Sequence, residues 1–125
     1  MPGTPRRTVG LRCEDARQIA RDVLSAHHVG TRLVDDVLLV VSELVSNAVR
    51  HAGGVTAFRV RCLPDSVVVE VSDRSTACPR PPGTPVAVPG GFGWLLVNRI
   101  ADRTEIRPGH GGKTITAFLP LTPAG

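Results

Sequence analysis

The stretch VVSELVSNAVRHAGG, residues 40–54, carries an acid, Glu43, and an amide, Asn47, one helical turn apart in an otherwise apolar run. Around it the spacing predicts a helix from about Thr31 to Ala52, stopped by Gly53 and Gly54. Val34, Val37, Val41, Leu44, Val45, Ala48 and Ala52 fall on one stripe of that helix. At 100° per residue, Asp36, Glu43, Asn47 and Arg50 form a second stripe opposite the first. Such a stripe is either a solvated face or the wall of a pocket whose floor the apolar stripe grips.

Outward from this helix the pattern alternates between the two periods. Ala16, Ile19, Ala20, Val23 and Leu24 mark an amphipathic helix over about residues 14–28, ended near Gly30. TAFRVRCL, residues 56–63, puts Phe58, Val60 and Cys62 on one face and Arg59 and Arg61 on the other. Pro64, Asp65 and Ser66 make a turn into VVVEVSD, residues 67–73, so the two strands form an antiparallel hairpin ending at Asp73. Residues 74–89 hold five prolines and read as a loop, long enough to serve as a lid. A short helix is expected from Trp94 to Ala101, then a strand near residues 104–107, a turn, and a strand over 113–120. An edge strand near residues 8–12 completes the list. Helices on one face of a mixed, mostly antiparallel sheet is the α+β architecture this order favours, a two-layer sandwich in one domain over residues 1–125.

Composition narrows the function classes. The chain has 125 residues, a net charge of +4 and 42% hydrophobic residues, with one Trp, three Phe and no Tyr, so the core is aliphatic. Its basic residues are scattered, which ranks nucleic-acid binding last among the readings considered. Cys13, Cys62 and Cys78 are an odd number with no Cys-x-x-Cys pair, which fits a reducing cytoplasm better than a disulfide framework or a zinc site. The longest apolar run, from Val37 to Val41, is too short for a bilayer.

Gly90, Gly91 and Gly93 are expected directly before the short helix, where glycines and unpaired N–H groups suit a phosphate, although glycines also serve as plain linkers. A Walker motif is excluded, because Lys113-Thr114 opens a strand instead of following the glycines.

The motifs VVSELVSNAVRHAGG (40–54), VEVSDRS (69–75), GGFGWLLVNRIADR (90–103) and GGKTITAFLP (111–120) occur in an order that resembles the GHKL, or Bergerat-type, ATP-binding fold. Within it, the chain looks like the stand-alone anti-sigma-factor serine/threonine protein kinases of actinobacteria. The resemblance implies ATP and Mg2+ as cofactors, with Asn47 as the magnesium ligand and Glu43 as the general base. It further implies Asp73 as acceptor for the adenine amino group, Gly91 and Gly93 at the phosphates, and Thr114 at the adenine end. The implied partners are a sigma factor, an anti-sigma antagonist protein and a second copy in a homodimer, with no direct nucleic acid and no membrane. Arg50 and His51 follow the metal ligand as in many relatives, and surface charge near the site describes them equally well.

Two departures carry an alternative reading. No glycine follows Asp73 in the Asp-x-Gly-x-Gly manner, and Phe92 stands where many relatives have Arg. Both suit a partner-sequestering module of the same fold that binds ATP weakly or transfers no phosphate.

Overall fold

The computed structural model describes residues 6–7, 10–75, 91–109 and 111–121. Its elements in chain order are β1 (Arg6–Arg7), α1 (Cys13–Ala26), α2 (Thr31–Ala52), β2 (Val55–Cys62), β3 (Ser66–Asp73), α3 (Gly91–Ile100), β4 (Arg103–Gly109) and β5 (Gly112–Pro120). The edge strand thus lies at residues 6–7, just before the segment where it was expected. The lid expected over 74–89 falls outside the described residues from position 76 onward.

α2 keeps its predicted bounds because both ends have local causes. Gly53 takes the left-handed conformation with φ of 73°, which costs glycine nothing, and the Gly54 N–H reaches back to the Ala48 carbonyl at 2.9 Å. α1 begins where the Asp15 carboxylate accepts the Arg12 N–H at 3.0 Å, and Glu14 and Asp15 complement the positive end of its dipole. Its last turn closes at Ala26, two residues short of the expected end.

The sheet order is β1-β2-β3-β5-β4, and every described pair is antiparallel. No parallel pair occurs among the described strands, so the sheet is simpler than the mixed one expected. Alternation along β3 and β5 sends Val67, Val69, Val71, Ile115, Ala117 and Leu119 to one face, where α2 covers them, and α1 packs beside it on β2. The other face carries Arg59, Arg61 and Glu70, with both guanidinium groups on the same carboxylate oxygen at 2.9 and 3.2 Å. Partly exposed pairs of this kind add little stability each.

The core is aliphatic as composition requires: Leu24, Val37, Val40, Val41, Leu44, Val45, Val69 and Val97 are all essentially inaccessible. Cys62 packs at its margin, and burial pushes that thiol up from its ordinary value. Among the described residues no helix is long and apolar enough to cross a membrane.

Because α2 binds the sheet through one stripe, truncation should cost in proportion to burial. Leu44→Ala, at 1% exposure, should lower unfolding stability by about 2–5 kcal/mol, whereas Leu39→Ala, at 39%, should stay within about 0.5 kcal/mol. Urea unfolding of the two variants against the parent measures both values.

Candidate functional site

The second stripe of α2 is not a plainly solvated face. Asp36, Glu43 and Asn47 are half-buried, Val40 between them is fully buried, and Arg50 alone of the four polar residues is exposed. The covering element is α3, which packs across α2. Its first turn contains Gly91 and Gly93, so the glycines do not precede the helix as the sequence suggested; they form its start. Glycine is a poor helix former, and a propensity reading therefore ends the loop too late.

Gly93 stands in close contact with Glu43. A side chain there would run into the Glu43 carboxylate, whose Cδ lies 3.1 Å from where a β-carbon would stand. Glu43 thus lies against the opening turn of α3, close to the unpaired N–H groups that such a turn presents. Among the described residues neither the Glu43 carboxylate nor the Asn47 amide has a hydrogen-bond partner. Two half-buried polar groups without partners among the described residues, one turn apart, have hydrogen-bonding capacity to offer a ligand or water.

Asp73 is brought to the same end of the sheet by register. It stands opposite Val55, the residue that follows the α2 C-terminal turn, and opposite Lys113 at the start of β5. The Lys113 ammonium donates to both Asp73 oxygens, at 3.0 and 3.1 Å, with the two side chains 8% and 4% exposed. The Ser75 N–H donates to Asp73 Oδ1 at 2.9 Å. A buried charge needs such compensation, and Lys113 supplies it.

Sequence reading missed Lys113, which entered only as the residue that rules out a Walker motif. The signal available was that it is the chain's single lysine, in a sequence that otherwise uses arginine.

Thr114 stands opposite Ser72 in the register, and their hydroxyls share a hydrogen bond at 2.7 Å; both residues line the same cleft as Asp73. The residue that shares a face with Asp73 is its neighbour Lys113. An open cleft of about 390 Å³ is lined by Thr56, Ser72, Asp73, Arg74, Gly112 and Lys113, among others. A larger one of about 840 Å³ runs beside it, with Arg12, Arg50, Arg74 and the exposed Val49 in its lining.

β5 can come so close to the end of β3 because position 112 is glycine. A β-carbon there would collide with the Asp73 carbonyl and stand 3.1 Å from the Arg74 Cα, both backbone atoms that cannot swing aside.

The chain matches the family model of the histidine kinase-like ATPase domain over residues 9–119 and belongs to that family. Membership implies ATP as the ligand and fits the GHKL architecture described above. No curated protein matches the chain.

The close approach at Gly112 has a measurable consequence. Gly112→Ala should lower stability by about 1–3 kcal/mol, because backbone must move to admit the methyl group. Gly109→Ala, with open space around it, should stay within about 0.5 kcal/mol. Thermal unfolding of the two variants distinguishes them.

Proposed function

We propose that this chain is an ATP- and magnesium-dependent serine/threonine protein kinase of the anti-sigma type. The observation that carries the reading is the position of Glu43, a half-buried carboxylate without a partner among the described residues, against the glycine turn that opens α3. A general base for phosphoryl transfer must stand beside the phosphate site, and a glycine-bearing helix start is a natural phosphate site.

In this reading the backbone of the α3 turn lets the phosphates approach at Gly91 and Gly93. Glu43 accepts the proton of an incoming serine or threonine hydroxyl as its oxygen bonds to the γ-phosphorus and ADP departs. Asn47 fits the role of magnesium ligand on one observation: its amide is half-buried and unpartnered among the described residues, and a single neutral oxygen suits an ion that keeps water and phosphate oxygens around it. When bound, the ion would neutralise charge on the phosphates. Asp73 accepts from the adenine amino group, and Thr114, which lines the same cleft, stands at the adenine end.

The polypeptide partners follow from the motif resemblance alone: a sigma factor held from polymerase, an antagonist protein as phosphoacceptor, and a homodimer as the working unit. A second reading, a partner-holding module with weak nucleotide binding, draws on the Asp73 carboxylate being already engaged by Lys113.

Kinase and module differ in how two variants fail. Asn47→Ala should lose magnesium-dependent nucleotide affinity and transfer together. Glu43→Ala should keep most of the affinity and lose transfer by about a hundredfold or more. Radiolabelled ATP with the antagonist recovered by co-purification measures transfer, and calorimetry measures binding. Transfer at the parent rate by Glu43→Ala removes the base assignment; ATP binding without transfer to any recovered partner by the parent chain favours the module.

A further inference from the structure

The ion pair between β3 and β5 admits two opposite roles. Lys113 could fill the acceptor and keep a purine out, or it could hold the carboxylate in place for one. We infer that Lys113 is a positioning residue for base recognition: it fixes Asp73 with a single free acceptor site, directed to a purine that carries a 6-amino group. This rests on the reading of Asp73 as the adenine acceptor and adds a residue to it.

The lone pairs of Asp73 are limited in number. An ionised carboxylate offers about four acceptor positions. The Lys113 ammonium takes one on each oxygen, at 3.0 and 3.1 Å, and the Ser75 N–H takes a second on Oδ1 at 2.9 Å. Among the described residues no other group donates to Asp73, so one position remains, on Oδ2. A plug would leave none.

Freedom to rotate is also removed. With Oδ1 held from two directions and the side chain 4% exposed, the carboxylate plane is set by the protein before any ligand arrives. The remaining acceptor belongs to an acid that lines the 390 Å³ cleft at the sheet end. The charged groups facing Asp73 there are Lys113 from β5 and Arg74 from the end of its own strand; β2 contributes the neutral Thr56, and β4 contributes Gly109. On the helix side, the α2 residues packed towards the sheet are apolar.

A fixed lone pair discriminates by what it meets. The 6-amino group of adenine donates to it; the 6-oxo group of guanine opposes it, and a purine with hydrogen at position 6 leaves it unpaired. If Lys113 is lost, the carboxylate is free to turn and to take water, and the penalty for the wrong base falls.

The test is calorimetric titration with ATP, GTP and the triphosphate of 6-unsubstituted purine riboside, for the parent chain and three variants. The parent should favour ATP over the unsubstituted analogue by about ten- to a hundredfold. Lys113→Met should reduce that preference to about threefold or less, and Lys113→Arg, which restores a cation with paired donors, should recover most of it. Because Lys113→Met leaves a buried carboxylate without its cation, the charge-neutral pair Lys113→Met with Asp73→Asn provides a second route, and it too should lose the preference. Tighter ATP binding by Lys113→Met would show a plug and overturn the proposal. An undiminished preference in Lys113→Met or in the paired variant would also overturn it, leaving the ion pair a structural role. A parent chain that binds ATP and the analogue equally would instead remove Asp73 as the adenine acceptor, and the proposal with it.

Discussion

The constraint on which the rest depends is that α2 must bury its apolar stripe on an aliphatic sheet. With so few aromatic residues, the core is made of many small contacts, and Val37, Val41, Leu44, Val45 and Ala48 supply a large part of them. Fixing that stripe fixes the rotation of the helix. Glu43 and Asn47 are then held on the remaining face, at a level where α3 can cover them without sealing them. Packing and site are therefore one problem here, since rotating α2 to expose the polar residues further would pull the aliphatic stripe off the sheet.

The end of the sheet obeys a second constraint, electrostatic in kind. Core-facing rows of β3 and β5 are apolar except where the end of β3 meets the start of β5, and there an acid faces a base across the register. Neither could be buried alone, and together they leave a charged but compensated pair at the edge of the core. Gly112 permits this meeting by letting β5 pass close to the Asp73 carbonyl. The proposed acceptor for a base and the proposed glycine turn for its phosphates thus come from different elements, β3 and α3, both of which pack against α2.

Much of this was legible in sequence because the signals were local. The 3.6-residue spacing and Gly53 gave the full extent of α2, and the alternation on either side of Pro64 to Ser66 gave the β2–β3 hairpin. Two features were not legible, for different physical reasons. The start of α3 at Gly91 is hidden because glycine argues against helix locally, while the close approach of the Glu43 carboxylate at position 93 is a tertiary contact that no local pattern announces. The Asp73–Lys113 pair joins residues 40 apart, and it exists only because β5 inserts between β3 and the edge strand β4, an adjacency that no local pattern announces.

The central claim is that the ends of β3 and β5, with α2 and α3, form a site for adenine nucleotide. Melting of the protein at rising concentrations of Mg-ATP tests it most directly. A ligand bound by the folded state alone adds about 1.4 kcal/mol of stability for each tenfold rise above its Kd. The account predicts a melting temperature that climbs with Mg-ATP and moves far less with Mg-GTP at equal concentration. A melting temperature unmoved by Mg-ATP, or raised equally by both nucleotides, would contradict it.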